Sequence, residues 1–360
     1  MTGRILVVGD IITDIVAVPS GTIVPDSDTE ARITTTGGGS AANTAAWLAH
    51  LGVAVDLLGA VGVDLAGEER IAELTEAGVG CQSVVWSRAA PTGTIIVLTD
   101  GRHRTFLTDR GANRELRPSD VDDSLAALPD VGHVHLSGYT LLDDASRPAG
   151  LRALAAAAER GLTTSVDAAS AEPLRRTGAD RFLDWARGAD LLLANVDEAR
   201  ILAGLPARAN GASGPPLDAR PGTPDRGPRA DDSPEAIALA LAHALAGPPA
   251  AGDRGGQDNG RVGPGDGGTS SDGRRAPEVV VKLGPDGAVW ARGDKVRSVP
   301  AVSTTVIDTT GAGDAFAAGL LAARLAGADV DAALAEAVRL GAVAVSLLGG
   351  RPPVPGRTPS

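Results

Sequence analysis

Short apolar runs recur along the chain, separated by longer stretches in which Ala and Leu return at helical spacing. Residues 4–9, 53–58, 133–136, 163–167, 191–194 and 278–283 read as strands. Residues 41–51, 65–77, 147–160 and 196–203 read as helices, and 288–292 with 295–300 as a hairpin. Buried strands alternating with helices predict an α/β fold: a doubly wound, mostly parallel sheet with helices on both faces. The longest apolar segments, 314–327 and 332–348, are rich in Ala and unlike a lipid-facing span.

Two kinds of segment break this rhythm. Residues 11–36 and 92–109 are rich in Thr, Ile and Val with polar alternation, which predicts a small antiparallel β lid outside the main sheet. Such a lid would cover the C-terminal edge of the parallel strands, where ligands of open α/β sheets bind. Residues 207–233 and 247–277 are dense in Gly, Pro, Asp and Arg and lack periodic apolar residues. They cannot offset their ordering entropy and read as disordered insertions around a helical segment at 235–246. The main domain is thus expected to comprise 1–10, 37–91 and 110–355.

Composition narrows the function. Aromatic residues make up 2% of the 360 positions, so Ala, Val and Leu must fill the core. A net charge of −12 argues against a nucleic-acid or anionic-membrane surface. A nucleotide ligand remains compatible, since it needs only local amides, a cation and one or two basic side chains. Cys81 is the single cysteine, so neither an intrachain disulfide nor a cysteine metal cluster can form. The apolar run near the N-terminus ends at Gly9-Asp10, too soon for a signal sequence. A cytoplasmic location is expected.

The chemistry concentrates in Asp308-Thr309-Thr310-Gly311-Ala312-Gly313-Asp314, which runs straight into an Ala-rich helix. Glycines there permit close backbone approach, and the first helical amides form an anion site. A carboxylate beside a bound phosphate is repelled by it. That conflict has a use if Asp314 takes a proton from a hydroxyl attacking a phosphoryl group held by the amides. A plain helix cap is the other reading of the same residues.

A second glycine cluster, Gly37-Gly38-Gly39-Ser40-Ala41-Ala42-Asn43, also meets a helix start. Asn43 can donate and accept, which suits a vicinal diol; alternatively the segment is a flexible turn with Ser40 as N-cap. A dinucleotide fingerprint ending at Asp56 is disfavoured, because the glycines follow the lid and not the first strand. Asn195-Val196-Asp197-Glu198 follows a strand. It reads either as oxygen ligands for Mg²⁺ held through water or as a capping box. No P-loop, zinc spacing or nucleophile elbow is present, and none of the five histidines has an evident partner.

Taken in order, these motifs resemble the ribokinase-like (PfkB-type) family of carbohydrate and nucleoside kinases. Residues 38–52 and 308–325 look like the two family signatures, Asn195–Glu198 like its Asn-x-x-Glu motif, and Lys282-Leu283-Gly284-Pro285-Asp286-Gly287 like its nucleotide-side turn. The resemblance implies Asp314 as base, with Gly311, Ala312 and Gly313 as anion hole. It implies Asp14, Gly38, Gly39 and Asn43 on substrate hydroxyls, and Asn195, Lys282, Gly284 and Gly287 near ATP. Glu198 would organise Mg²⁺ through water, while Asp308 and Thr310 resemble a monovalent-cation (K⁺) site. Ribokinases proper carry Gly-Gly-Lys-Gly-Ala-Asn where this chain has Gly38-Gly39-Ser40-Ala41-Ala42-Asn43, and they tend to be acidic at Ser137. The expected activity is ATP-dependent phosphorylation of a hydroxymethyl group on a small carbohydrate, with a homodimer formed through the lid. A nucleoside kinase using Phe106 and Tyr139 as a base shelf is the first alternative, and a non-catalytic sugar- or nucleotide-binding regulator the second.

Overall fold

The computed structural model describes residues 3–99, 104–206, 232–246 and 276–353. The first half contains β1 (Arg4–Val8), β2 (Ile12–Pro19), β3 (Ala31–Gly38), α1 (Ser40–His50), β4 (Val55–Leu58), β5 (Ala60–Gly62), α2 (Leu65–Glu76), β6 (Val85–Ser87), β7 (Gly93–Thr99), β8 (Arg104–Asp109), α3 (Pro118–Ala127), β9 (Val131–Ser137), α4 (Gly138–Leu142) and α5 (Arg147–Glu159). The second contains β10 (Thr163–Asp167), α6 (Ala171–Thr177), α7 (Ala179–Ala186), β11 (Leu191–Asn195), α8 (Val196–Leu202), α9 (Pro234–Ala246), β12 (Glu278–Lys282), β13 (Ala288–Arg292), β14 (Lys295–Val299), α10 (Ala312–Leu325) and α11 (Val330–Val345).

The main sheet has the order β14-β13-β12-β11-β10-β9-β1-β4. It is parallel from β12 to β4, with β13 and β14 added antiparallel at one edge. Strand alternation divides the core between its two faces. Leu6, Val8, Leu136 and Leu192 pack with α3, α5, α7, α8 and α9 through Leu125, Leu154, Phe182, Leu202 and Leu241. Ile5, Val7, Leu57 and Leu193 pack with α1, α10 and α11 through Trp47, Phe316 and Leu334. The doubly wound architecture read from the sequence is present.

A separate four-stranded sheet, β3-β2-β7-β8, forms the lid. Both outer pairs are antiparallel, as the alternation implied, whereas β2 and β7 run parallel where the two hairpins join. One lid face carries Asp14, Ile95, Phe106 and Thr108, which line the cleft beneath it. The opposite face turns Ile33, Ile96 and Leu107 outward, 62%, 38% and 53% exposed. The stretches read as insertions, 207–233 and 247–277, lie outside the described residues apart from 232–233 and 276–277. Within that described part, Ser233 Oγ accepts from Ala236 N at the start of α9. Among the described residues no helix is long and apolar enough to cross a membrane.

Candidate active site

The C-terminal ends of the parallel strands and the lid enclose a cleft of about 1620 Å³. Each strand end contributes chemistry: Asp10 after β1, Tyr139 after β9, Asp167 on β10, Asn195 on β11 and Lys282 on β12. Opposite them, α10 presents its N-terminus.

That N-terminus is built by Gly311, which takes φ +72°. A Cβ there would lie 2.3 Å from the Gly350 carbonyl oxygen, so only glycine fits the turn. The amides of Gly313 and Asp314 make no hydrogen bond within the protein among the described residues. They are free donors at the positive end of a helix dipole.

Asp314 is held from α1. Its Oδ1 accepts from Ser40 Oγ at 2.8 Å and its Oδ2 from Asn43 Nδ2 at 3.0 Å. Ser40 is therefore not the side-chain N-cap entertained above. Gly39, at φ +96°, occupies that position, and the Ser40 hydroxyl turns to the carboxylate instead. Burial, reinforced by the charge of Asp167, pushes the Asp314 carboxyl up to about 7. A carboxyl titrating there is basic enough to accept a proton and still partly ionised at neutral pH.

On the acceptor side, Asp10 Oδ2 accepts from Ser40 N at 3.0 Å and its Oδ1 from Ser137 Oγ at 2.9 Å. Asp14 projects from the lid, raised to about 6 by burial against the opposing pull of Arg351. Gly38 lies beneath Asp14, where a Cβ would fall 2.1 Å from Asp14 Oδ2. Gly38 does not line the cleft, whereas Gly39, Ser40 and Asn43 do.

On the other side, Asn195 caps α8. Its Oδ1 accepts from Asp197 N and Glu198 N, both at 2.9 Å, and Glu198 Oε2 accepts from Asn195 N at 2.8 Å. The capping box is thus real, yet it also holds a buried carboxyl in the cleft wall. Burial pushes Glu198 up to about 7, with Lys282 opposing. Lys282 Nζ donates to Asp167 Oδ2 at 2.6 Å. Burial works against its charge, but Asp167 and Glu198 outweigh that and hold it above its ordinary range. Gly284 and Gly287 line the cleft beside the short turn Gly284–Asp286.

Asp308 sits behind the glycine turn. Its Oδ1 accepts from Thr310 N (2.9 Å) and Oγ1 (2.8 Å), and its Oδ2 from Gly349 N (3.0 Å). His133 and His135, in contrast, are core residues bonded to Thr163 and Ser165, and burial lowers them to about 3 and about 4.

The description "pfkB family carbohydrate kinase" belongs to the family model that matches residues 2–213 and 271–357. The chain belongs to the pfkB family of carbohydrate kinases. It is a phosphotransferase with an alcohol group as acceptor. The family match has one gap, and both of its edges fall within the Gly/Pro-rich stretches. An ATP-dependent ribose-1-phosphate kinase from Halopiger xanaduensis is 29% identical over 333 residues, 91% of this chain and 88% of that protein. Adenosine kinase from Sinorhizobium meliloti matches at a TM-score of 0.71 and 23% identity, covering 98% and 95% of the two chains. A Vibrio cholerae fructokinase double mutant with fructose, ADP and potassium ion bound matches at 0.69 and 23%, covering 97% and 94%. The two structural likenesses carry the shared fold.

Three residues of this carbohydrate kinase's cleft region escaped the sequence reading. Asp10 and Asp167 each follow or end an apolar strand, a signal that was available. Arg351 had none. It donates through Nε to Asn43 Oδ1 (3.2 Å), through Nη2 to Gly38 O (3.0 Å) and through Nη1 to Glu73 Oε2 (3.2 Å). It thereby fixes which end of the Asn43 amide faces Asp314.

Proposed function

We propose that this kinase transfers the γ-phosphoryl group of ATP to a hydroxymethyl oxygen of a small carbohydrate, with Asp314 as base. The observation that carries the reading is the Asp314 carboxylate, held by Ser40 and Asn43 beside two free amides of a helix start. The acceptor oxygen attacks the γ-phosphorus as its proton passes to Asp314. The bond from that phosphorus to the β-phosphate oxygen breaks and ADP leaves. Gly311, Ala312 and Gly313 form the anion hole, so catalysis is mainly positioning and electrostatics. Asp14, Asn43 and Gly39 hold the sugar; Asn195, Lys282, Gly284 and Gly287 flank the nucleotide.

Among the described residues no three His, Cys, Asp or Glu side chains converge on one metal position. One or two buried carboxylates beside the phosphates suit Mg²⁺, which keeps most of its ligands as water and phosphate oxygen. Glu198 and Asp167 would hold it, and it would supply positive charge to the phosphates. A monovalent cation beside Asp308 and Thr310 belongs to the same proposal. So does a homodimer in which a second copy covers Ile33, Ile96 and Leu107 on the outer lid face; light scattering checks it.

The test is ATP consumption with product analysis over pentoses, hexoses, their monophosphates and nucleosides. The name of the Halopiger relative puts ribose 1-phosphate first in that panel. In the same assay, Asp14→Ala removes a charge-assisted hydrogen bond worth about 1.5–3 kcal/mol. The acceptor KM should rise about ten- to hundredfold, at roughly 1.4 kcal/mol per tenfold, while the KM for ATP stays put. A change confined to ATP would contradict this layout.

A further inference from the structure

The cations along the cleft differ in how they are neutralised. Lys282 pairs with Asp167, Arg147 with Asp144, and Arg176 lies 4.0 Å from Glu172. Arg181 is exposed on α7. Arg110 follows none of these patterns. Its guanidinium lies over the Tyr139 ring, 5.0 Å from the centroid. Its Nε is buried and has no hydrogen-bond partner, and no carboxylate pairs with it among the described residues. A partly buried guanidinium with an unspent N–H is unfavourable in the free protein. The same group is suited to binding a planar or tetrahedral anion at two points.

The main chain fixes which end of the cleft Arg110 serves. Asn113 Nδ2 donates to Arg110 O at 3.0 Å and to Ile11 O at 2.9 Å, while its Oδ1 accepts from Ile11 N at 2.9 Å. Ile11 lies between Asp10 and Asp14. Arg110 is therefore tied to the segment that carries the acceptor-side carboxylates. The next residue, Gly111, has φ +47°, and a Cβ on it would lie 2.3 Å from Pro91 O. The turn that presents Arg110 is thus held in place.

Charge then narrows the ligand. Asp10, Asp14 and Asp314 face this end of the cleft and would repel an anionic acceptor that lacked a cation of its own. A nucleobase would need the Tyr139 face, and Arg110 already covers one side of that ring. Building on the kinase reading above, we propose that the acceptor is a sugar phosphate and that Arg110 binds its phosphate, while Asp14 and Asn43 hold its hydroxyls.

The test compares wild type, Arg110→Gln and Arg110→Lys, using ribose 1-phosphate, ribose and adenosine as probes. Calorimetric binding of each probe is measured without ATP, alongside steady-state kinetics with ATP. Arg110→Gln should weaken ribose 1-phosphate binding and raise its KM about ten- to hundredfold, the span of a lost charge-assisted contact. Ribose binding and the KM for ATP should not move. Arg110→Lys should recover part of the loss, because an ammonium keeps the charge but not the fork. The proposal is overturned if wild type binds ribose 1-phosphate no better than ribose, or if Arg110→Gln weakens both alike. Phosphoryl transfer to ribose or adenosine alone would also overturn it, leaving the kinase reading intact. Arg110-dependent binding without turnover of any probe would support the phosphate subsite while removing ribose 1-phosphate, ribose and adenosine as acceptors in the proposed function. Binding is read at equilibrium on each folded preparation, so a stability change in one variant leaves the ribose comparison valid.

Discussion

Two carboxyl groups in the cleft, Asp314 and Glu198, are both raised to about 7 by burial, yet they are built in opposite ways. Glu198 is held locally: its partner Asn195 is three residues away and the bonds close a capping box at the first turn of α8. Asp314 is held across the fold by Ser40 and Asn43, 274 and 271 positions distant. The amide and side chain of a single nearby residue satisfy one carboxylate, and side chains of another helix satisfy the other. A local box tolerates changes elsewhere in the molecule. A long-range cage depends on α1, α10 and the C-terminal segment keeping their relative positions. In return, only the long-range arrangement can set a base against a ligand lying between two elements.

The sharpest way to break this comparison is to neutralise Asp314. Asp314→Asn should lower kcat by at least about a hundredfold, the low end for loss of a general base, with the KM for ATP unchanged. Near-normal turnover would remove Asp314 from the role of base. The raised pKa adds a stability signature. Its folded value lies above the ordinary carboxylate range, so the stabilisation it brings is complete only at low pH and is lost as pH rises through about 7. The Asn variant carries no such burden. Its melting temperature should therefore gain on wild type at pH 8 and lose that advantage near pH 5.

What could be read in the sequence follows the same division. The parallel sheet, the lid, the glycine turn and the Asn195–Glu198 box are written in short stretches whose spacing carries the physics. The brief helices α4, of five residues, and α6, of seven, carry too little apolar period to be read, whereas α8, equally short, was legible through its Asn195–Glu198 box. The parallel meeting of β2 and β7 was not legible either, since it pairs residues as distant in sequence as Ile12 and Gly93. Arg351 is the clearest case. Nothing near Gly350-Arg351-Pro352 points to Asn43, yet three of its donors fix that corner. Trp47 adds to it, donating through Nε1 to Gly350 O at 3.1 Å. Arg351→Ala should cost about 3 kcal/mol in denaturant unfolding, the low end for breaking a buried pair. The low end applies because Glu73 is one-third exposed and keeps its bonds to Arg70. Activity per folded molecule should fall as well, because Asn43 loses the donor that orients it. A variant with wild-type stability and turnover would show that the cage stands without Arg351.

The local box makes a different prediction. Glu198→Gln keeps the size of the side chain but removes its charge. If Glu198 acts on Mg²⁺ through water, the apparent affinity for Mg²⁺ should weaken about ten- to hundredfold, as for other outer-sphere partners. Saturating Mg²⁺ should restore most of kcat, and the acid limb of the pH profile should stay near that of wild type. A titration of rate against Mg²⁺ at fixed ATP decides this. An unchanged Mg²⁺ requirement would leave Glu198 as a helix cap and nothing more.

The smallest effect is also the most specific to the long-range cage. Ser40 Oγ donates to the ionised Asp314, so it favours the charged form and holds the pKa below what burial alone would give. Ser40→Ala removes that bond while leaving the Ser40 backbone amide free to donate to Asp10. The folded pKa of Asp314 should therefore rise. A hydrogen bond to a charged group contributes about 1.5 kcal/mol at the low end, which corresponds to roughly one pH unit. Because the base must be ionised, the acid limb of kcat/KM should move to higher pH by about that much. Above the shifted pKa the variant should approach wild-type activity, since the carboxylate and Asn43 remain in place. The Mg²⁺ requirement should not change, because the Asn195–Glu198 box shares no residue with Ser40. A limb that moves to lower pH would reverse the sign of this argument and place the titrating group elsewhere.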